Sequence, residues 1–407
     1  MFRTITWHFA GRGCYAQVPV LAVAAVRPRG LFFDGLSKRA IARRFRLSRW
    51  FVEAWTRSPT QDLTFDRRGW MKGRTRTYTR RDEQRVLKVH AELQANPDRS
   101  FAGASAIERR YRELYGDAKP LSLRFIGRTL AKHGLATLPK VRRKGVSRYL
   151  HYPQVLINNL GSSLLEVDFI GKKFITGRTQ PVNFLAFSLR FPRQLKHFQR
   201  VEAETADVVL QQLAGFFQLF EKPAVVKLDN GFAFAGAGPE ARTLNSVVLY
   251  LLKQRITPVF IAPKKPWNQA SVEGANSIFS RKFWNRHTFG SLEHIDQELP
   301  HFNKAYAWYT GYQRPKRSTP REHPFIPRVY FIRKVYEDPE THKGYIDVLK
   351  EQISLRTSYI GLFVLAEWNL KSEQLTIMVE RNEKGERIKV LAFELNPGLK
   401  KRVAWFH

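Results

Sequence analysis

Leu164-Leu165-Glu166-Val167-Asp168-Phe169-Ile170 is an apolar run of strand length with an acid near its end. Sixty residues on, Ala224-Val225-Val226-Lys227-Leu228-Asp229 repeats the pattern and is followed at once by Asn230-Gly231, a turn signal. A third acid closes Asn268-Gln269-Ala270-Ser271-Val272-Glu273, where Val272, Ala275, Phe279 and Phe283 fall at helical spacing. That stripe predicts a helix with its apolar side on a core. Glu273 then heads a neighbouring polar face with Asn276, Ser277 and Ser280. Two strand ends and a helix thus each offer one carboxylate: Asp168, Asp229 and Glu273.

Hard oxygen donors of this kind suit Mg²⁺, which keeps several waters and needs few protein carboxylates when it sits beside phosphates. Two such ions roughly 3.5–4 Å apart can activate an attacking oxygen and stabilise the leaving one in an in-line displacement. A single Asp in such a place is ordinarily a strand-end or turn residue. Three acids, each in its own local context, favour the metal reading.

These stretches resemble the DDE transposases and integrases, whose catalytic core is like that of the retroviral integrases. Glu166-Val167-Asp168-Phe169, Lys227-Leu228-Asp229-Asn230-Gly231 and Pro263 through Glu273-Gly274 carry the resemblance, which covers about residues 156–320. It implies that Asp168, Asp229 and Glu273 are the family's metal-binding triad. Asp168 and Asp229 would hold one Mg²⁺ and Asp168 with Glu273 a second, with Mn²⁺ as a substitute. It further implies a bacterial insertion-sequence enzyme in which water frees a 3′-OH at the element's end and that hydroxyl then attacks target DNA. One departure is the gap of 44 positions from Asp229 to Glu273, longer than is usual in the family; Phe234-Ala235-Gly236-Ala237-Gly238-Pro239 accounts for it as a loop. Lys264, Lys265, Arg281 and Lys282 flank the triad as candidates for phosphate contact.

The whole chain agrees with a polyanion partner. Its 407 residues carry a net charge of +34 with a pI near 10.5, and DNA or RNA is the usual partner of such a field. No run approaches the ~20 apolar residues of a membrane span. One cysteine, Cys14, excludes an internal disulfide framework and a cysteine-rich zinc site. Val18 to Val26 is a short apolar run that superficially fits a signal peptide, but a first-domain helix or residues upstream of the functional start are the plainer readings. A cytoplasmic, nucleoid-associated protein is expected.

Up to Leu150 there are 33 Lys and Arg against 11 Asp and Glu, so most of the excess charge precedes the core. Residues 1–65 read as a helix-turn-helix DNA-binding domain: Ser37 caps a helix to Phe45, and Arg46-Leu47-Ser48 turns into Arg49 to Trp55, with Arg49 on the recognition helix. Pro28 falls where the preceding helix should run. Residues 66–81 are a basic linker. Residues 82–145 read as a second helix-turn-helix domain, in which Ser122 caps Leu123 to His133, Gly134 ends it, and Arg124, Arg128 and Lys132 form one basic stripe. Lys140 to Lys144 is a basic hinge.

Residues 155–325 read as an α/β ribonuclease-H-like core. Strands over Pro181–Phe191 and Gln194–Glu202 lie beside the Asp168 strand, and Thr205 caps a helix through Phe220. The Asp229 strand, a helix over Leu244–Gln254, a strand over Thr257–Ile261 and the Glu273 helix complete it. Over 340–407 the chain reads as a small SH3-like β-barrel, with strands Gly344–Ile353, Tyr359–Leu365, Gln374–Val379 and Ile388–Phe393 and a turn at Asn382-Glu383-Lys384-Gly385. The expected fold class is therefore multidomain: all-α helix-turn-helix units, an α/β core and a C-terminal barrel. Joining two DNA ends requires more than one active site, so a homo-oligomer on DNA is expected. The barrel and the aromatic stretch Phe302 to Tyr309 are its candidate surfaces, unless those aromatics pack on the core sheet. Two rival functions share these features: a ribonuclease-H-like nuclease, and a non-catalytic DNA-binding protein derived from a transposase.

Overall fold

The computed structural model describes residues 31–32, 34–56, 77–96, 100–116, 118–136, 152–235, 240–263, 269–314 and 325–406. Pro28, the Val18–Val26 run, residues 66–76 of the basic linker, the Lys140–Lys144 hinge, Lys264, Lys265 and the loop residues 236–239 lie outside them. The chain divides into two compact units, Met1–Thr79 and Arg80–His407.

In the first unit, α1 (Lys38–Phe45) starts where Ser37 Oγ accepts the Ala40 N–H and stops at Arg46 in the left-handed region (φ 52°). After a short turn comes α2 (Arg49–Trp55), and Ile41 and Val52 are buried. Arg49 is exposed.

The second unit opens with α3 (Arg80–Ala95), α4 (Ala104–Leu114) and α5 (Leu123–Lys132). Val86, Leu93, Ile107, Tyr111, Ile126 and Leu130 bury their side chains between them. Ser122 Oγ accepts the Phe125 N–H at the head of α5, and Gly134 (φ 69°) closes its end. Arg124 and Arg128 are exposed, whereas Lys132 donates to Glu83 Oε1 at 2.7 Å.

After α6 (Gln154–Asn158) the central sheet begins with β1 (Leu164–Lys173), β2 (Val182–Phe191) and β3 (Leu195–Val201), each antiparallel to the next. Capped by Thr205, α7 (Ala206–Leu219) leads to β4 (Val225–Leu228), which lies parallel to β1. Then come α8 (Phe232–Ala235), α9 (Ser246–Lys253), β5 (Thr257–Phe260) parallel to β4, α10 (Ala270–Lys282) and α11 (Leu292–Thr310). The strand order β3-β2-β1-β4-β5, with helices following the parallel strands, is the order the ribonuclease-H-like reading requires.

Each strand divides its side chains by parity. Leu165, Val167, Val226 and Leu228 share an apolar cluster with Val209, Leu213 and Phe216 of α7 and Val248 and Leu252 of α9. On the opposite face, Phe279 of α10 packs on Phe184 and Phe198, each with ring centroids 4.9 Å apart.

The C-terminal strands depart from the expected barrel. They are β6 (Arg328–Lys334), β7 (Tyr336–Glu337), β8 (Gly344–Val348), β9 (Glu351–Leu355), β10 (Phe363–Asn369), β11 (Gln374–Arg381) and β12 (Lys384–Ala392), followed by α12 (Pro397–Arg402). Parallel pairing of β6 with β5 continues the central sheet to nine strands, ordered β12-β11-β10-β6-β5-β4-β1-β2-β3. Strands β7, β8 and β9 form a separate three-stranded sheet. Phe331 stacks on Phe260 at 5.5 Å, and Trp368, Ile346 and Val348 join the same apolar cluster as the α7 face. These strands therefore complete the core's own cluster rather than enclosing one of their own.

The aromatic stretch on α11 is also occupied within the chain. Phe302 and Tyr306 are buried, and Phe198 of β3 lies 5.7 Å from Phe302. Phe101, between α3 and α4, stacks on Tyr309 at 4.3 Å, and Trp308 Nε1 donates to Glu113 of α4 at 2.6 Å. Those rings hold the helical unit to the core, with Phe302 and Tyr306 buried and Trp308 and Tyr309 half-buried.

Candidate active site

Parallel pairing of β1 with β4 sets Glu166 opposite Lys227. Two residues further on, Asp229 follows directly on the end of β4, close enough to Asp168 of β1 for its charge to act on that carboxyl. All four side chains share one face, and α10 lies across it. Ala186, the β2 partner of Asp168, is small and fully buried.

Asn276, one turn beyond Glu273, donates its amide N–H to Asp168 Oδ2 at 3.4 Å. The Asn276 amide oxygen is buried without a partner. Asp229 Oδ1 accepts the Gly231 N–H at 2.9 Å, and a Cβ on Gly231 would come equally close to that oxygen, so the turn needs glycine. Asn230 ties the same turn down by donating to Ile261 O at 2.6 Å.

Burial, then the Asp229 charge, pushes the Asp168 carboxyl up to about 7; Glu273 adds to the shift, while the Phe169 N–H and Asn276 oppose it. Burial raises Asp229 against the pull of the Gly231 N–H. Glu273 is raised by burial and then by Glu166. Among the described residues, no Lys, Arg or His forms an ion pair with any of the three. Crowded, desolvated carboxylates without a counter-cation, beside an orphaned amide oxygen, fit a hard divalent ion such as Mg²⁺. The arrangement is a pair plus one: among the described residues no three acids or histidines converge into a ready-made cage.

The flanking basic residues fall in several places. Arg281 is exposed and Lys282 half-buried at the end of α10; burial, then Arg286 and Arg281, lowers the Lys282 ammonium. The polar face expected of α10 meets β1, where Lys173 Nζ donates to Ser280 Oγ at 3.0 Å.

Sequence reasoning passed over the layer beneath the acids. Glu166 and Lys227 are both fully buried, with Nζ 3.7 Å from Oε1, and Arg190 Nη1 lies 3.2 Å from the same oxygen. A signal was present: each strand carries a charge two residues before its aspartate, and the two charges have opposite signs. Arg333 of β6 was also missed. Its buried guanidinium donates to Asn230 Oδ1 at 3.2 Å and to the carbonyls of Ile261 and Asp347, and burial lowers it to about 10.

No protein-family model and no curated protein matches the chain. Among solved structures it is similar to the catalytic core domain of BIV integrase, at 17% identity over 36% of this chain and 82% of that one, with a TM-score of 0.26. It is similar to a chain of the simian T-cell lymphotropic virus intasome in complex with PP2A regulatory subunit B56 gamma, at 12% identity over 77% and 99% of the two chains (TM-score 0.33). It is also similar to a chain of the mariner Mos1 paired-end complex with Mg, at 13% identity over 71% and 91% (TM-score 0.27).

Proposed function

We propose that the chain is a DNA transposase or integrase of the DDE type, with Asp168, Asp229 and Glu273 as its metal-holding acids. The observation that carries this reading is the acid pair formed by Asp168 on β1 and Asp229 just past the end of parallel β4, without a counter-cation among the described residues, in a chain of net charge +34. Magnesium held there would supply Lewis-acid activation of the attacking oxygen and charge stabilisation of the leaving one. Asn276 fixes the rotation of the Asp168 carboxylate, and the Gly231 N–H fixes that of Asp229. Glu273 enters from the helix that covers the pair. No protein nucleophile takes part. Water attacks the phosphodiester at an element end and releases a 3′-OH, and that hydroxyl displaces the 3′-oxygen of a target phosphodiester, so the number of ester bonds is conserved in the second step. Exposed Arg49, Arg124 and Arg128 are the DNA contacts of the helical units. A homo-oligomer that pairs two ends completes the proposal.

A second reading, a DNA-binding protein without catalysis, shares the net charge of +34 and the exposed arginines of the helical units. Strand cleavage decides between the two. The full chain with Mg²⁺ should nick end-containing DNA and then join it to target. Asp168→Asn, Asp229→Asn and Glu273→Gln should each reduce cleavage by more than about a thousandfold while DNA binding stays within roughly twofold. Wild-type protein that binds this DNA but leaves it intact in Mg²⁺ and in Mn²⁺ would establish the binder.

A further inference from the structure

The segment just ahead of Glu273 is tied to the sheet at three residues, one through its own buried side chain and two through polar side chains of the sheet. Gln269, the residue before α10, does not cap the helix; its amide donates instead to the carbonyls of Lys227 at 3.2 Å and Val167 at 3.4 Å. Ser271 is gripped by Lys196 of β3, whose ammonium donates to Ser271 Oγ at 2.6 Å, to Ser271 O at 3.3 Å, and to Ser188 Oγ on β2. Val272 N–H, one of the helix's unpaired first-turn donors, is taken by Glu166 Oε2 at 3.0 Å. A helix is normally capped by its own preceding residue. Here the cap is a carboxylate 106 positions away, on the strand that also carries Asp168.

We infer that Glu166 and Lys196 are positioning residues for Glu273, fixing the first turn of α10 to the sheet so that its carboxylate is presented to Asp168 and Asp229. Stability alone does not account for this arrangement. A buried ion pair is often matched or bettered by apolar side chains of the same volume, so desolvated charges here contribute definite position more than net stability. Lys227 and Arg190 keep the Glu166 carboxylate compensated while its second oxygen caps the helix. The inference rests on the metal-holding role proposed for Glu273, but its geometric part can be measured without activity.

The experiment uses the full-length chain in two arms. In hydrogen exchange, Glu166→Ala and Lys196→Met should speed exchange of peptides covering residues 269–276 about tenfold or more, with α7 peptides unchanged. In Mn²⁺ titration, Glu166→Ala should weaken binding about tenfold in the wild-type background and less than about twofold in a Glu273→Gln background, because two changes acting through one group are not additive. Glu166→Gln, which keeps an acceptor for Val272, should recover much of the slow exchange. Unchanged exchange at 269–276, or equal Mn²⁺ losses in both backgrounds, overturns the inference. Wild-type protein that takes up no Mn²⁺ overturns the metal reading instead, and exchange alone then decides the positioning role.

Discussion

The two faces of β1 and β4 are built by the same two short sequences, yet they have opposite chemistry. One face carries Leu165, Val167, Val226 and Leu228, all fully buried under α7 and α9. The other carries Glu166 beside Lys227 and then Asp168 beside Asp229, under α10. The apolar face is bound by non-directional burial and would tolerate small shifts of its helices. The polar face is bound by hydrogen bonds and charge pairs that fix angle and distance. Stability and positional accuracy are thus assigned to alternate residues of one strand.

The sharpest way to break the contrast is to move a charge across the sheet. Val167→Asp would place an unpaired carboxylate in the apolar cluster, at a cost comparable with the ~5–15 kcal/mol that holds a typical domain together. The variant should lose its folded circular dichroism signal, whereas Val167→Ala, which only opens a cavity, should remain folded with a lower melting temperature. A folded Val167→Asp protein would show that the cluster is not continuous across the strands.

A second, smaller effect sharpens the polar side. With Asp168 held at about 7, above the ~3.9 of an unfolded aspartate, the folded metal-free chain binds this proton more tightly than the unfolded one. That contribution to stability is complete below about pH 4 and is lost as the pH rises through 7. Metal-free protein should therefore melt lower at pH 7.5 than at pH 5, and Asp168→Asn should weaken that dependence and melt higher than wild type at pH 7.5. Added Mn²⁺ should restore the wild type at pH 7.5 by binding the ionised acids, and should do little for the variant. Identical pH slopes for the two proteins would show that Asp168 does not carry the strain assigned to it.

The smallest expected effects lie far from the sheet, on α5. Arg124→Gln and Arg128→Gln should each flatten the log–log salt dependence of DNA binding by about one unit. Lys132→Gln should change it by less than about half a unit, because that ammonium is already engaged with Glu83. Equal slopes for all three variants would remove α5 from the DNA interface.

How much of this was legible in the sequence depended on how local the determinant was. Caps at Ser37, Thr205 and Ser122 are local chemistry and marked their helices correctly. The Val272, Ala275, Phe279 stripe placed α10 and its polar face. The single strand expected over Gly344–Ile353 is instead the hairpin of β8 and β9. It turns at Leu349 (φ 49°) and Lys350 (φ 67°), two residues that give no turn signal. Pairing of β6 with β5 joins segments separated by some seventy residues, and no local pattern encodes it. At the site, Asp229 announced itself through the turn that follows it, whereas Asp168, expected near a strand end, lies in the middle of β1, which runs on to Lys173. Glu166 and Lys227 looked like isolated charges in apolar runs until the register set them side by side.

The continuation of the sheet through β6 also bears on the order in which the chain is made. When β5 has left the ribosome, its outer edge has no paired strand and Phe260 lacks its stacking partner Phe331 until residues 328–334 follow, after two long helices. During that interval the nascent sheet presents an open, apolar strand edge of the kind that pairs with whatever strand it meets. A fragment ended near Pro320 would keep that edge permanently, so truncation to the region of the acids should yield aggregates rather than a minimal enzyme. The last fifth of the chain is in this sense a lid on the sheet's edge that arrives only when synthesis is nearly finished.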